Sequence, residues 1–313
     1  MALSISIVTP SFNQGTYIGR TLASILEQSA AADEVVVFDG GSTDETVDVL
    51  KAFGERIKWV SRRDDGQAAA VNKGIEATHG DIIGWLNSDD IYYPDALKKV
   101  RDFFESHPDV DVVYGDAKLI DERDAIIGVY PTEAWSLERM SACCIISQPA
   151  TFFRRRVVRE IGLLDARLHY CMDYEFWLRL ADRGARFEYM PQTLAATRMH
   201  KDTKSCAARM SCLKEINEML DAKLGYVPDA WVIAFALAVV EGKGITRQRP
   251  LRFAFALASQ LASESVRWNS RLRWGLLKAA MGRVGHHIRQ SLRTSGSRMR
   301  TPLVPVESTM PSR

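Results

Sequence analysis

The sequence predicts an α/β fold built on a largely parallel sheet, and three observations carry that prediction. Strand-like and helix-like segments alternate through the first half of the chain, as the crossovers of a parallel sheet require. Residues 34–38 read as a strand whose last four positions, Val35-Val36-Val37-Phe38, are all apolar, the pattern of a strand covered on both faces. Hydrophobic residues make up 46% and charged residues 26% of the 313. That balance belongs to a globular chain of one large domain or two ordinary ones, and it excludes a disordered, collagen-like or disulfide-scaffold protein.

Taken in order, residues 4–9 are a short β-branched run closed by Pro10, and residues 17–28 follow with Ile18, Leu22, Ile25 and Leu26 at helical intervals. The strand at 34–38 ends at Asp39-Gly40-Gly41-Ser42-Thr43-Asp44, where Ser42 or Thr43 is expected to cap a helix. Residues 57–61 read as a third strand, 67–78 as a helix and 81–86 as a fourth strand ending at Asn87-Ser88-Asp89-Asp90. A helix at 94–106 and a strand at 110–114 come next. Beyond them the order is less regular, with strands at 125–130 and 148–153, a helix at 173–183 and two short strands at 187–190 and 194–199. The remainder is helical in pattern over 213–224, 229–240 and 251–281.

Charge divides the chain. The net charge is +2, yet from Lys243 onward 14 basic residues face only Glu264 and Glu307, which leaves the preceding part acidic. The predicted organisation is an α/β domain over 1–205, a basic helical extension over 206–293 and a Ser/Pro/Arg-rich tail over 294–313 that is expected to be disordered. The five cysteines (Cys143, Cys144, Cys171, Cys206, Cys212) show no Cys-x-x-Cys spacing, so reduced and partly buried thiols are expected rather than a zinc site or a disulfide framework. The opening residues lack a basic n-region, so no signal peptide is expected. The longest apolar stretch, residues 230–240, is 11 residues, against the roughly 20 of a membrane-spanning helix.

Ligands of parallel α/β sheets bind beyond the carboxyl ends of the strands. Three such ends here are polar: Pro10-Ser11-Phe12-Asn13, Asp39-Gly40-Gly41-Ser42 and Asn87-Ser88-Asp89-Asp90. Each alone reads equally as an ordinary loop. The two glycines after Asp39 allow a tight turn and a close ligand approach, with a carboxylate that can accept from a base or ribose. The segment is not a GxGxxG fingerprint, so a nicotinamide cofactor is not indicated. Adjacent carboxylates at 89 and 90 repel unless a cation neutralises them, and oxygen ligands at such a turn suit Mg²⁺ or Mn²⁺ completed by nucleotide phosphates.

Five segments together resemble glycosyltransferase family 2 in order and spacing. They are Thr9-Pro-Ser-Phe-Asn13, Val37-Phe-Asp39-Gly-Gly-Ser-Thr-Asp44, Asp65-Gly-Gln-Ala-Ala-Ala-Val-Asn72-Lys-Gly74, Gly80-Asp-Ile-Ile-Gly-Trp-Leu-Asn87-Ser-Asp-Asp90 and Met172-Asp173-Tyr-Glu-Phe-Trp-Leu-Arg179. The resemblance covers roughly residues 1–205. It implies a GT-A fold, Rossmann-like with a mainly parallel sheet flanked by helices, a nucleotide-diphosphate sugar donor (a UDP- or dTDP-sugar), a divalent cation and inversion at the anomeric carbon. By the same resemblance Asp173 is the general base, Asp89 the metal-binding carboxylate with His200 as a further ligand, and Asp39 holds the nucleobase or ribose. Pro10, Ser11, Asn13, Gly41, Ser42, Asp65, Gln67, Asn72, Lys73, Asn87, Ser88, Asp90 and Arg198 complete the implied donor site. The chain departs from the family pattern in having Asn87 where an aspartate is usual and Met172 where a glutamate is common.

A carboxylate at 173 suits the implied chemistry. Inverting transfer is a single in-line displacement, so one base must take the acceptor's proton. Glu175, two positions on, points elsewhere on a helix. Arg198-Met-His200-Lys-Asp-Thr-Lys204-Ser205 also resembles a late family segment that supplies positive charge to the departing phosphates, and Gln148-Pro-Ala-Thr-Phe-Phe153 resembles one lining the acceptor side. Trp135 is a core residue or a sugar-stacking one. Leu251 to Met281 interleaves apolar residues and arginines with Trp268, which reads either as a segment lying on an anionic membrane surface or as a helical extension packed on the chain. The expected acceptor is a glycan or lipid-linked glycan and the expected location cytoplasmic, with possible attachment at the inner face of the cell membrane; no nucleic-acid partner is expected. Two other readings stay open on the residues alone: a non-catalytic nucleotide-sugar-binding scaffold, and a sugar nucleotidyltransferase, whose Gly/Arg/Lys-rich loop after the first strand is not found in Pro10–Gly15.

Overall fold

The computed structural model describes residues 2–201, 203, 208–271 and 275. They fall into two compact units, one formed by Met1–Met140 with Cys144–Thr203, the other by Ser141–Cys143 with Lys204–Arg313.

The first unit carries a nine-stranded sheet. Its elements are β1 (Ile5–Ser11), α1 (Gly15–Leu26), β2 (Glu34–Asp39), α2 (Thr46–Ala52), β3 (Lys58–Ser61), α3 (Gln67–Glu76), β4 (Ile82–Trp85), β5 (Ile91–Tyr92), α4 (Ala96–Ser106), β6 (Val112–Ile120), β7 (Ile126–Val129), α5 (Leu137–Ala142), β8 (Thr151–Arg154), α6 (Arg155–Ile161), α7 (Met172–Asp182) and β9 (Phe187–Arg198). The sheet order is β3-β2-β1-β4-β8-β6-β9-β5, with β7 paired to β6. β3, β2, β1 and β4 are mutually parallel. β8 then enters antiparallel between β4 and β6, and β9 runs parallel to β6.

All seven residues of β1 are buried, as expected of a central strand with helices on both faces. Helix α3 approaches β1 so closely that a Cβ on Gly74 would stand 2.2 Å from Val8 Cγ1, which is why glycine sits inside that helix despite its low helix propensity. Glu34 opens β2 and is a tie between strands. Burial would raise its carboxyl, but the backbone N–H groups of His79 and Gly80 and the Ser6 hydroxyl donate to it and bring it down to about 2.

Several elements differ from the sequence reading, for stated reasons. The helix expected from Ser42 or Thr43 starts at Thr46. Ser42 Oγ already accepts from Asn13 N (2.7 Å) while its N–H and hydroxyl donate to Asp39, and it is Asp44 that accepts from Thr46 N (3.0 Å). The segment at 148–153 begins as a 3₁₀ turn, Gln148–Ala150, before β8. The two short strands expected at 187–190 and 194–199 are one strand, β9, whose pairing with β6 shifts register at Gly115/Asp116 and Asp116/Ala117. Pro191 lies in that irregular stretch, where a missing N–H is tolerated.

The second unit contains α8 (Arg209–Leu224), α9 (Asp229–Gly242) and α10 (Pro250–Asn269). α10 buries Phe253, Leu257, Leu261 and Trp268 at helical intervals, and the Trp268 indole donates to Glu264 (2.9 Å). The Asn269 amide pairs with both backbone groups of Val227. The helix expected over 251–281 is described as far as Asn269; Leu272, Leu276, Leu277, Met281 and the tail at 294–313 lie outside the described residues, as do Lys204, Ser205 and Cys206. The four described cysteines are buried. Among the described residues no helix is long and apolar enough to cross a membrane.

Candidate active site

The polar residues that follow β1, β2 and β4 gather at one edge of the sheet. Ser11 pairs with Asp39 across β1–β2 and Val8 with Trp85 across β1–β4. The segments leaving β2 and β4 are therefore two strand spacings apart, on the order of 10 Å, on either side of β1.

In the first cluster the Asp39 carboxylate is buried and accepts from Gly41 N (3.1 Å), Ser42 N (2.8 Å), the Ser42 hydroxyl and the Ser61 hydroxyl (2.6 Å). A carboxylate has about four acceptor sites, so Asp39 spends its capacity on shaping this loop. Gly41 takes φ +82° in it, and a Cβ there would meet Arg63 N at 3.0 Å. Asn13, at φ 52°, is stitched to the same loop: its N–H donates to Ser42 Oγ (2.7 Å) and its Oδ1 accepts from Thr43 N (2.9 Å). Pro10 and Ser11 are buried at the base, and Phe12 is exposed.

The second cluster follows β4. Asn87 Oδ1 accepts from Gln67 Nε2 (2.7 Å) and Trp85 Nε1 (2.9 Å), and its Nδ2 donates to Gln148 Oε1 (2.9 Å) and Asp90 Oδ2 (3.3 Å). The Ser88 and Asp90 carbonyls both accept from the Thr21 hydroxyl on α1. Asp90 is buried and accepts from Arg198 N (2.9 Å); its burial, with the Asp89 carboxylate beside it, pushes its carboxyl well above the usual range. Asp89 turns the other way, its Oδ2 lying 3.0 Å from His200 Nε2.

Arg198 and His200 reach this cluster from the end of β9. Arg198 is fully buried: Nε donates to Asp89 O (2.8 Å), Nη1 to Asp121 O (2.8 Å) and to Asp124 Oδ1 (2.5 Å). The Tyr17 ring lies under its guanidinium (5.1 Å) and against His200 (4.8 Å). Nη2 of Arg198 and Nδ1 of His200 are buried with no hydrogen-bond partner among the described residues.

Asp173 stands in the first turn of α7, half-buried, with Oδ1 accepting from Tyr174 N (2.8 Å). α7 packs on β8 through Phe176 and Trp177 against Phe153 (5.5 and 6.0 Å), and β8 is the neighbour of β4. The Asn72 amide joins α3 to the loop before α7, exchanging two hydrogen bonds with the Leu164 backbone (2.9 and 3.0 Å). Glu175 is committed elsewhere: it is buried and holds Arg179 (3.1 Å), which also donates to Ile161 O and Leu163 O.

The structure thus joins Asn87, Ser88, Asp89, Asp90, Gln67, Arg198 and His200 in one network, and Asn13, Asp39, Gly41 and Ser42 in a second beside it. Asn72 serves the loop before α7, Lys73 is half-buried on α3, and Asp65 is exposed ahead of it. Trp135 stacks on Phe187 (4.1 Å). The sequence reading missed Tyr17, Thr21, Asp121 and Asp124, which support Arg198 and the 87–90 turn. Sequence spacing carries no signal for them, because each acts across a tertiary contact.

The glycosyl transferase family 2 model matches residues 6–162, half of the chain. The chain belongs to that family. This glycosyltransferase is 26% identical over 236 residues to an uncharacterised glycosyltransferase of Rickettsia prowazekii, covering 71% of each chain. It is 32% identical over 179 residues to a PGL/p-HBAD biosynthesis glycosyltransferase of Mycobacterium tuberculosis, covering 56% of this chain and 68% of the relative. Its fold is similar to that of S. aureus TarS residues 1–349 in complex with UDP-GlcNAc, with a TM-score of 0.60 at 15% identity over 93% and 92% of the two chains. The mannosyltransferase PcManGT of Pyrobaculum calidifontis, in complex with GDP-Man and Mn²⁺, gives a TM-score of 0.60 at 18% identity over 93% and 81%. The fold of this glycosyltransferase is GT-A. Asp173, Arg198 and His200 lie beyond the residues that the family model matches.

The Asn87 amide uses both of its ends in this network. Nδ2 gives two hydrogen bonds that a carboxylate cannot give. Asn87→Asp, although it restores the more common residue, is expected to lower stability by about 2 kcal/mol by setting a third carboxylate against Asp89 and Asp90. A urea midpoint equal to that of the native protein would show that these donors are expendable.

Proposed function

We propose that the chain is an inverting, metal-dependent transferase that moves a sugar from a UDP- or dTDP-sugar to a hydroxyl of a glycan or lipid-linked glycan in cell-surface polysaccharide synthesis. The observation that carries this reading is the Asp89–His200 pair, 3.0 Å apart, at the sheet edge where nucleotides bind in α/β folds. Two donor atoms about 3 Å apart suit neighbouring positions on an ion with bonds of about 2.1 Å. Among the described residues no group of three His, Cys, Asp or Glu side chains forms a metal cluster, so diphosphate oxygens and water would complete the shell, as is usual for such ions. When bound, the cation neutralises charge on the departing diphosphate.

Asp173 accepts the proton of the acceptor hydroxyl as that oxygen bonds to the anomeric carbon and the bond from this carbon to the diphosphate oxygen breaks, releasing the nucleoside diphosphate. On this reading the unpartnered Nη2 of Arg198 serves the donor's phosphates, and the Asp39 loop with Asn13 and Ser42 receives the nucleoside. A basic C-terminal region would hold the enzyme at the anionic cytoplasmic face of a membrane carrying a lipid-linked acceptor. The names of two structural neighbours, complexed with UDP-GlcNAc and with GDP-Man, support a nucleotide-sugar donor.

The test is a thermal-shift series with UDP-, dTDP- and GDP-sugars, with Mn²⁺ and then with EDTA. A UDP- or dTDP-sugar with Mn²⁺ is expected to raise the melting temperature, since a ligand that binds only the native state stabilises it by mass action, and EDTA is expected to abolish the rise. A shift that survives EDTA would remove Asp89 and His200 from the metal role.

A further inference from the structure

The beginning of α10 has an outer face that the packing of its own unit leaves uncovered. Leu251 is 86% and Phe255 79% exposed, one helical turn apart, while the opposite face of the helix is filled by Phe253, Leu257 and Leu261. Arg252, the next residue after Leu251, is exposed, and Lys243 and Arg249 are exposed on the connection that precedes them. No acidic residue occurs between Glu241 and Glu264, and Glu241 is already paired with Arg209 and Arg247. The connection between α9 and α10 also forms an open groove of about 320 Å³ lined by Gly244, Ile245, Thr246, Gln248, Arg249 and Arg252.

We infer that this face docks on an anionic lipid bilayer, with Leu251 and Phe255 inserted at the headgroup–acyl boundary and Lys243, Arg249 and Arg252 on lipid phosphates. Charge complementarity selects this occupant. Apolar anchors on a stretch that carries exposed cations and no acidic residue between Glu241 and Glu264 match a negatively charged interface, whereas a protein partner of mixed charge would leave the cations unmatched. The groove between Arg249 and Arg252 has room for a phosphate-bearing headgroup. The inference deepens the reading of the acceptor as membrane-borne and rests on it, because it names the surface that would bring the enzyme to a lipid-linked glycan.

Sedimentation of the full chain with vesicles of phosphatidylglycerol and phosphatidylcholine, against phosphatidylcholine alone, tests it. Binding is expected only with the anionic vesicles. It should fall about thirtyfold in the double variant Arg249→Gln/Arg252→Gln, since each basic residue at an anionic surface contributes about a factor of five. It should fall at least about tenfold in Leu251→Ser/Phe255→Ser. Equal binding by both variants, or equal binding to neutral vesicles, would overturn the inference. So would self-association, or a mobility shift on duplex DNA, that depends on these residues in a protein that ignores vesicles. The donor-induced thermal shift, read on the same samples, separates the two readings: a native protein that shows that shift but does not bind the anionic vesicles sinks the docking face alone, and a native protein that answers no nucleotide sugar sinks the transferase reading.

Discussion

Asp173→Asn is expected to reduce transfer by about 10²- to 10⁴-fold, the usual contribution of a positioned general base, while the nucleotide-sugar thermal shift stays as large as in the native protein. The substitution is close to isosteric, and an amide oxygen can still accept from Tyr174 N, the contact that orients this side chain at the start of α7. What it removes is the capacity to take a proton at the attacking oxygen. Glu175→Gln is the control, because that carboxylate holds Arg179 and, through it, the carbonyls of Ile161 and Leu163. Its loss should appear in the unfolding midpoint rather than in the chemical step. Full turnover by Asp173→Asn in a folded protein would take the base role from this residue.

The largest effect on stability is expected at Arg198. Its side chain is wholly buried, and its nitrogens hold the Asp89 carbonyl, the Asp121 carbonyl and the Asp124 carboxylate. Losing the charge-assisted hydrogen bonds to the two carbonyls costs on the order of 3 kcal/mol, whereas Asp124, 39% exposed, keeps its pair with Arg20 (2.7 Å). Arg198→Met should therefore unfold at a clearly lower urea concentration. Arg198→Lys keeps the charge but replaces a planar fork with a single ammonium, so it cannot serve Asp89 O and Asp121 O together. That variant should fold and yet lose donor binding, because the turn carrying Asp89 is no longer fixed. A lysine variant with native donor binding would show that the turn is held by Thr21 and Asp90 alone.

Much of this was legible in the sequence, and the limits have a physical pattern. The parallel half of the sheet was readable because β1, β2 and β4 are apolar runs that stop at polar turns, and those turns proved to lie side by side. The GT-A fold was what the resemblance of five segments to glycosyltransferase family 2 implied. The partners within the site were not readable. Gln148 lies 61 positions from Asn87 and Asp121 lies 77 from Arg198. No local propensity specifies which distant amide or carbonyl completes a buried hydrogen bond. The start of α2 was misplaced for the same reason: Ser42 has the chemistry of a cap, but its Oγ already accepts from the backbone N–H of Asn13, 29 positions away. Helix geometry separates the directions of Asp173 and Glu175, whereas the engagement of Glu175 by Arg179 became visible only once α7 was packed.

The irregular middle of β9 works as a spacer. Val112 faces Phe187 at one end of the β6–β9 pairing and Ile120 faces Arg198 at the other, so β9 carries three more residues than β6 over the same length. Were those residues laid flat in an unbroken ladder, Arg198 would overshoot its station by about 10 Å and present its side chain to the reverse side of the sheet. The surplus around Pro191 is what brings the guanidinium into phase with Asp89. Shortening or lengthening that stretch by a single residue would therefore misalign a centre many residues away, even with every side chain of that centre intact.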